Sequence, residues 1–268
     1  MSESYDFEIP EEGLSYDILD LAFNSCTKAF IIEHAAIKPG MRVLDVGSGS
    51  GVMTHFFAKQ VGQQGHVLSI DISVEQLNRA KHYCEQKHSQ NITFREMSVY
   101  DLTTLNETFD LVYCRFVLHH IHSPRQAIQL FHHVLNKGGR YIAEEGIISA
   151  AFAYPPSQAW QFSRETITSP DEEKDGLDRD GEFGMKLYYW MKKAGFSVEA
   201  IKLNQPVLTS KAQKSLLLDG HEAYKKTALA QGKNEAAWET EKQALVQLAN
   251  DDFSIIGFYQ SCLVCGIK

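Results

Sequence analysis

Short unbroken apolar runs alternate along this chain with segments whose apolar residues return every three or four positions. The first run, VLDV, leads into the glycine turn GSGSG and then into a helical pattern over Val52–Val61. HVLSID (66–71) is β-rich. Ser73 then opens a helix, with Gln76 completing a capping box and Leu77, Ala80, Tyr83 and Cys84 along one face. ITFREM (92–97) and FDLVYC (109–114) read as two further strands. In SPRQAIQLFHHVL, Ser123 is the expected cap, Pro124 the first helical residue and Gln126 the partner that closes the box. Ala127, Phe131, Val134 and Leu135 form its apolar face, and Gly138 and Gly139 are expected to end it. RYIAEEG (140–146) is a fifth strand, MKLYYWMKKA (185–194) a helix stopped at Gly195, and FSVEAIKL (196–203) a sixth strand.

Strands alternating with helices predict an α/β fold with a mostly parallel sheet covered on both faces, and ligands beyond the carboxyl ends of its strands. Three pieces stand outside the alternation. Residues 14–36 read as helix, and 147–182 and 206–252 are expected to cap one edge of the sheet. The last of these has a second capping box at Ser210 and Gln213, followed by periodic segments over 216–230 and 236–248. The expected organisation is a helical N-terminal cap (1–36), a ligand-binding core (37–146 and 183–205), two cap insertions (147–182 and 206–252) and a final core strand (253–268). The two insertions are read as a lid over the second substrate.

Composition narrows the setting. No apolar run approaches the roughly 20 residues of a membrane span. The N-terminus MSESYDFEIPEEG lacks the basic start and apolar core of a secretory signal, so the expected location is cytoplasmic. The net charge is −8, of which residues 169–182 (seven acids, two bases) carry −5. With no basic stripe, nucleic acid is not an expected partner. Cys262 and Cys265 form a CxxC in a predicted terminal strand, where they face opposite sides of the sheet, so no metal site is expected.

A glycine turn between a first strand and helix serves either a dinucleotide or a nucleoside-based methyl donor. Dinucleotide folds use GxGxxG, but here Gly47, Gly49 and Gly51 alternate and Val52 stands where the last small residue belongs. DVGSGSG, then IDIS after the second strand and YCRFVLHHI after the fourth, resembles the class I S-adenosylmethionine-dependent methyltransferases. The resemblance runs from about Arg42 to Phe196. It implies a Rossmann-like sheet of seven strands, the last antiparallel, for which SIIGFYQSCLVCGI is the candidate. It also implies S-adenosylmethionine as methyl donor and S-adenosylhomocysteine as product.

The same resemblance assigns roles to residues. Gly47, Gly49 and Gly51 let the backbone approach the donor. Asp71 matches the acid that accepts both ribose hydroxyls, and Ile72 would pack on the adenine. Asp45 matches the acid near the donor's ammonium, or else is a buried carboxylate bonded to the turn amides. The backbone at Arg115 should approach the methionine moiety, its side chain either pairing with the carboxylate or lying on the surface. The family's usual Asp after the third strand is replaced by Ser98, followed by Val99, with Asp101 as the other possible adenine contact.

His119 and His120 lie where the methyl should point, and read either as structural residues or as a general base. Tyr16, Phe152, Tyr154, Trp160 and Phe162 are candidates to line a pocket for a small hydrophobic or aromatic acceptor, or to pack between cap helices. The function expected is methyl transfer to such an acceptor by in-line attack. The alternatives are a non-catalytic donor-binding regulator and an NAD-linked oxidoreductase.

Overall fold

The computed structural model describes residues 14–157, 180–230 and 232–268, with the side chains of 14–22, 223, 224, 227 and 230 outside that description. Its centre is a sheet of seven strands: β1 (Arg42–Val46), β2 (His66–Asp71), β3 (Ile92–Glu96), β4 (Phe109–Arg115), β5 (Leu135–Ile147), β7 (Ser197–Asn204) and β10 (Gln260–Ile267). Their order is β3-β2-β1-β4-β5-β10-β7. β1, β2, β3, β4 and β5 run parallel, while β10 runs antiparallel between β5 and β7. The chain reverses its direction of travel across the sheet between β1 and β4, which opens a crevice at their carboxyl ends.

The central strands are apolar at nearly every position because both faces are covered. Val43, Val67, Leu111, Tyr113, Ile142, Leu263 and Cys265 pack beneath α1 (Leu14–His34) and α2 (Val52–Val61). Leu44, Val46, Val112, Cys114, Ala143, Cys262 and Val264 pack on the other face beneath α4 (Pro124–Val134) and α5 (Phe183–Lys193). Cys262 and Cys265 thus lie on opposite faces, as the strand period requires. Between β2 and β3, α3 (Val74–Gln86) packs on α2.

Three local expectations are corrected. Leu135 begins β5 rather than ending α4, because it pairs with Phe109. Gly138 and Gly139 do not stop a helix; they exchange backbone hydrogen bonds with Lys268 at 3.1 and 3.0 Å. Ser123 caps no amide with its side chain, and its own N–H donates to the Tyr100 hydroxyl at 2.8 Å. The boxes at Ser73 and Ser210 do cap: each hydroxyl accepts the amide of the glutamine three residues on, at 3.3 Å in both.

The predicted terminal strand is also two strands. β9 (Ile255–Gly257) joins β6 (Phe152–Tyr154) and β8 (Val207–Leu208) in a small sheet, and β10 begins after Phe258 and Tyr259. Beyond β8, α6 (Lys211–Ala230) and α7 (Glu235–Asn250) pack on each other, and α6 packs on α1. Phe23, Leu208, Leu217, Leu248, Ile256 and Phe258 form the core of this cap. Among the described residues, no helix is long and apolar enough to cross a membrane.

Candidate active site

The loop after β1 is built from left-handed backbone. Gly47, Gly49 and Gly51 have φ of 80°, 50° and 79°, values that side chains resist. Gly51 has a second reason to be bare: a Cβ there would lie 2.6 Å from Ala80 Cα and 2.8 Å from its carbonyl oxygen. The third glycine therefore lets α3 close on the start of α2.

Asp71, at the end of β2, reaches back to this turn. Its Oδ1 accepts the Ser73 N–H at 2.9 Å. Burial raises its carboxyl above the ordinary carboxylate value, opposed by the amides of Ser73, Gly49, Ile72 and Ser48. The turn and the acid, far apart in sequence, are in contact. Ile72 is half-buried beside it. Ser98 follows closely, since Met97 N–H donates to the Asp71 carbonyl at 3.0 Å. Ser98 Oγ accepts the Tyr100 amide at 3.3 Å at the head of a short 3₁₀ turn, Val99 is buried and Asp101 is exposed.

Asp45 is buried on the α2 face. It is bonded to hydroxyls and not, as one expectation had it, to the turn amides. Thr54 donates to its Oδ2 at 2.5 Å and Ser69 at 3.5 Å, and Ser69 in turn lies 2.7 Å from Ser48 Oγ. Desolvation pushes its pKa up to about 7, against the lowering pull of Thr54 and of the Arg115 charge. Arg115 is tethered as well: its Nη1 donates to Asn24 Oδ1 of α1 at 2.6 Å.

Two adjacent acids of β5 were missed by reasoning from sequence. Glu144 and Glu145 are both fully buried. Glu144 accepts from Thr27 of α1 at 2.7 Å and from Ser261 of β10 at 2.8 Å, and burial raises its carboxyl. Glu145 points to the other face. Its Oε1 accepts the amides of Val117 and Leu118 at 2.9 and 2.7 Å, and its Oε2 lies 2.6 Å from His119 Nδ1. The signal was present in YIAEEGI, because two charges inside a central apolar strand are costly unless each is bonded.

Phe116, whose N–H donates to the Glu144 carbonyl at 2.9 Å, is in a left-handed conformation (φ 54°) that a bulky residue rarely adopts. Its ring meets Phe23 at 5.3 Å, Tyr259 at 5.9 Å and His119 at 6.3 Å, and Phe23 stacks on Tyr259 at 5.2 Å. His120 lies against His119, ring centroids 3.8 Å apart. The aromatic cluster thus comes from α1, the residue after β4 and the residue before β10. Phe152 and Tyr154 do not join it: they are 43% and 66% exposed, and Ala153 between them faces the cap core. Trp160, Phe162 and the Tyr16 side chain lie outside the described residues.

The sequence profile of the methyltransferase domain matches residues 37–195, more than half of the chain. The ubiquinone/menaquinone biosynthesis C-methyltransferase UbiE of Vibrio campbellii is 29% identical over 130 residues, which cover 48% of this chain and 50% of that one. The chain thus spans about half the length of this curated relative. Among solved structures, the fold is shared with the [4+2]-cyclase SpnF at a TM-score of 0.57 and 15% identity, covering 96% of this chain and 93% of that one. It is also shared with a phosphoethanolamine N-methyltransferase of Haemonchus contortus, solved with S-adenosylhomocysteine, at 0.55 and 15%, covering 96% and 58%. The sheet order, the left-handed turn and the profile match agree, and the chain belongs to the class I S-adenosylmethionine-dependent methyltransferase family.

Proposed function

We propose that the protein moves a methyl group from S-adenosylmethionine to a small apolar or aromatic acceptor by in-line attack, leaving S-adenosylhomocysteine. The observation that carries this reading is the meeting of Asp71 with the glycine turn, at the same sheet end as the rings of Phe23, Phe116 and Tyr259. The residues fit the donor. The bare turn admits close backbone contact, Asp71 offers two oxygens to a vicinal diol, and Ile72 supplies an apolar face for adenine. Ser98 or Val99 would meet the adenine edge, and Asp45 with Arg115 would serve the amino-acid end.

When bound, the donor supplies a sulfonium whose methyl carbon is already activated. What remains for the chain is to align the acceptor and keep water out. The aromatic cluster provides apolar area for the first task, and α1, α6 and α7 provide cover for the second. A small molecule is the proposed partner, since the charge balance favours no nucleic acid.

Calorimetry with S-adenosylmethionine and S-adenosylhomocysteine, followed by mass analysis of a metabolite extract incubated with methyl-labelled donor, tests the proposal. Binding of both with label in a small molecule supports it. Binding without transfer favours a donor-binding regulator. Binding of neither removes both readings.

A further inference from the structure

Resting on that reading, we propose that Glu145 positions His119 as the group that takes the acceptor's proton. The acceptor class is then one that must lose an N–H, O–H or C–H proton as it is methylated. Glu145 is fully buried, yet every described bond of its side chain is to the segment that follows β4: two amides and the His119 ring. Such a carboxylate fixes both the path of residues 117–119 and the plane of the imidazole. An ionised carboxylate can only accept, so Nδ1 of a neutral His119 carries the hydrogen and Nε2 keeps its lone pair.

The ring is placed for use. It stands edge-on to Phe116, within the aromatic cluster that the acceptor is proposed to meet, and is 16% exposed. Among the described residues no hydrogen bond engages Nε2. The charged and titratable groups around it are Glu145 on β5, His120 on the same turn, and Asp180, whose N–H donates to the His119 carbonyl and whose carboxylate is paired with Lys186 of α5. Beyond Phe116 lie Arg115, Glu144 and Tyr259. The step balances as follows. One proton passes from the acceptor to Nε2 and on to solvent, and the freed electron pair bonds to the methyl carbon. The carbon–sulfur bond breaks with its electrons on the resulting thioether.

The test uses the whole chain as wild type, His119→Gln and Glu145→Gln. Nitrogen-15 NMR of the neutral imidazole should show His119 with hydrogen on Nδ1 in the wild type and a shift toward the Nε2–H form in Glu145→Gln. The analogous Asp→Asn change in serine proteases acts through the wrong tautomer. Label transfer from methyl-labelled donor into a bacterial metabolite extract should fall roughly 10²-fold in both variants. In His119→Gln the residual rate should also lose the pH dependence that the wild type shows. S-adenosylhomocysteine affinity should hold within about twofold of wild type, confirming that the variants are folded. Wild-type transfer with both variants unimpaired, or an unchanged tautomer in Glu145→Gln, overturns the dyad while leaving methyl transfer standing. Absence of transfer by the wild type overturns the underlying reading and the dyad with it.

Discussion

The Thr54 hydroxyl donates to the Asp45 carboxylate at 2.5 Å, tying the first strand to the helix that leaves the glycine turn. That bond and the one from Ser69 both go to Oδ2, and they do not offset the cost of burying the acid's charge. Its folded pKa of about 7 stands above the reference 3.8. Below pH 3.8 the acid is neutral in both folded and unfolded chains and costs nothing. Between 3.8 and 7 the unfolded chain ionises first, so stability falls as pH rises, and the full cost applies above 7. Asp45→Asn keeps an acceptor for Thr54 and removes this cost. It should match wild type near pH 3.5 and be more stable at pH 8, by up to about 4 kcal/mol. Urea unfolding at the two pH values checks this, and a pH-independent difference would sink it.

Asp71→Ala should weaken S-adenosylmethionine and S-adenosylhomocysteine together, each by roughly 10- to 100-fold, because both carry the ribose and the lost bonds involve a charged acceptor. Calorimetry on the folded variant decides. An effect on only one ligand would move Asp71 away from the ribose.

Gly51 and Gly62 separate backbone strain from crowding. Both have positive φ, but a Cβ at Gly62 meets nothing within 4 Å, whereas at Gly51 it strikes the backbone of Ala80. Gly62→Ala should cost about 1–3 kcal/mol from backbone strain alone, because its φ of 65° and ψ of −176° are open essentially to glycine. Gly51→Ala should cost about 1–2 kcal/mol for its left-handed α backbone and about 1–3 kcal/mol on top of that, because α3 must shift. Equal losses in denaturant titrations would show that α3 yields freely.

Thr27→Val should destabilise by about 1–3 kcal/mol, since it leaves the buried Glu144 Oε2 without its hydroxyl donor. The loss should concentrate in α1, seen as faster amide exchange there than in β4. Uniform acceleration across the sheet would mean that this bond does not specifically hold α1 down.

The sheet was readable because each strand and its following turn carry their own local signal: VLDV with its glycines, HVLSID with its acid. The site was readable only in part. The pairing of Glu145 with His119 spans α4 and most of β5, and nothing near either residue announces the other. Ser123 has the residues of a capping box, but the distant Tyr100 hydroxyl claims its amide. Phe152 and Tyr154 are aromatic and correctly placed along the chain, yet pairing with β9 turns them outward and gives Ala153 the inner face. The rings that do meet, Phe23, Phe116 and Tyr259, come from three separate segments, each unremarkable alone.

The antiparallel strand between β5 and β7 sets an order of events during synthesis. A ribosome delivers β5 and then β7 well before Gln260–Ile267 emerges, and until then β7 has no neighbour in the large sheet. One edge of β5 is bare for the same interval, and Glu144 lacks Ser261. The nascent chain must carry two unpaired strand edges and a half-satisfied buried acid until its last strand slots in, which makes that interval its period of greatest exposure to misassociation.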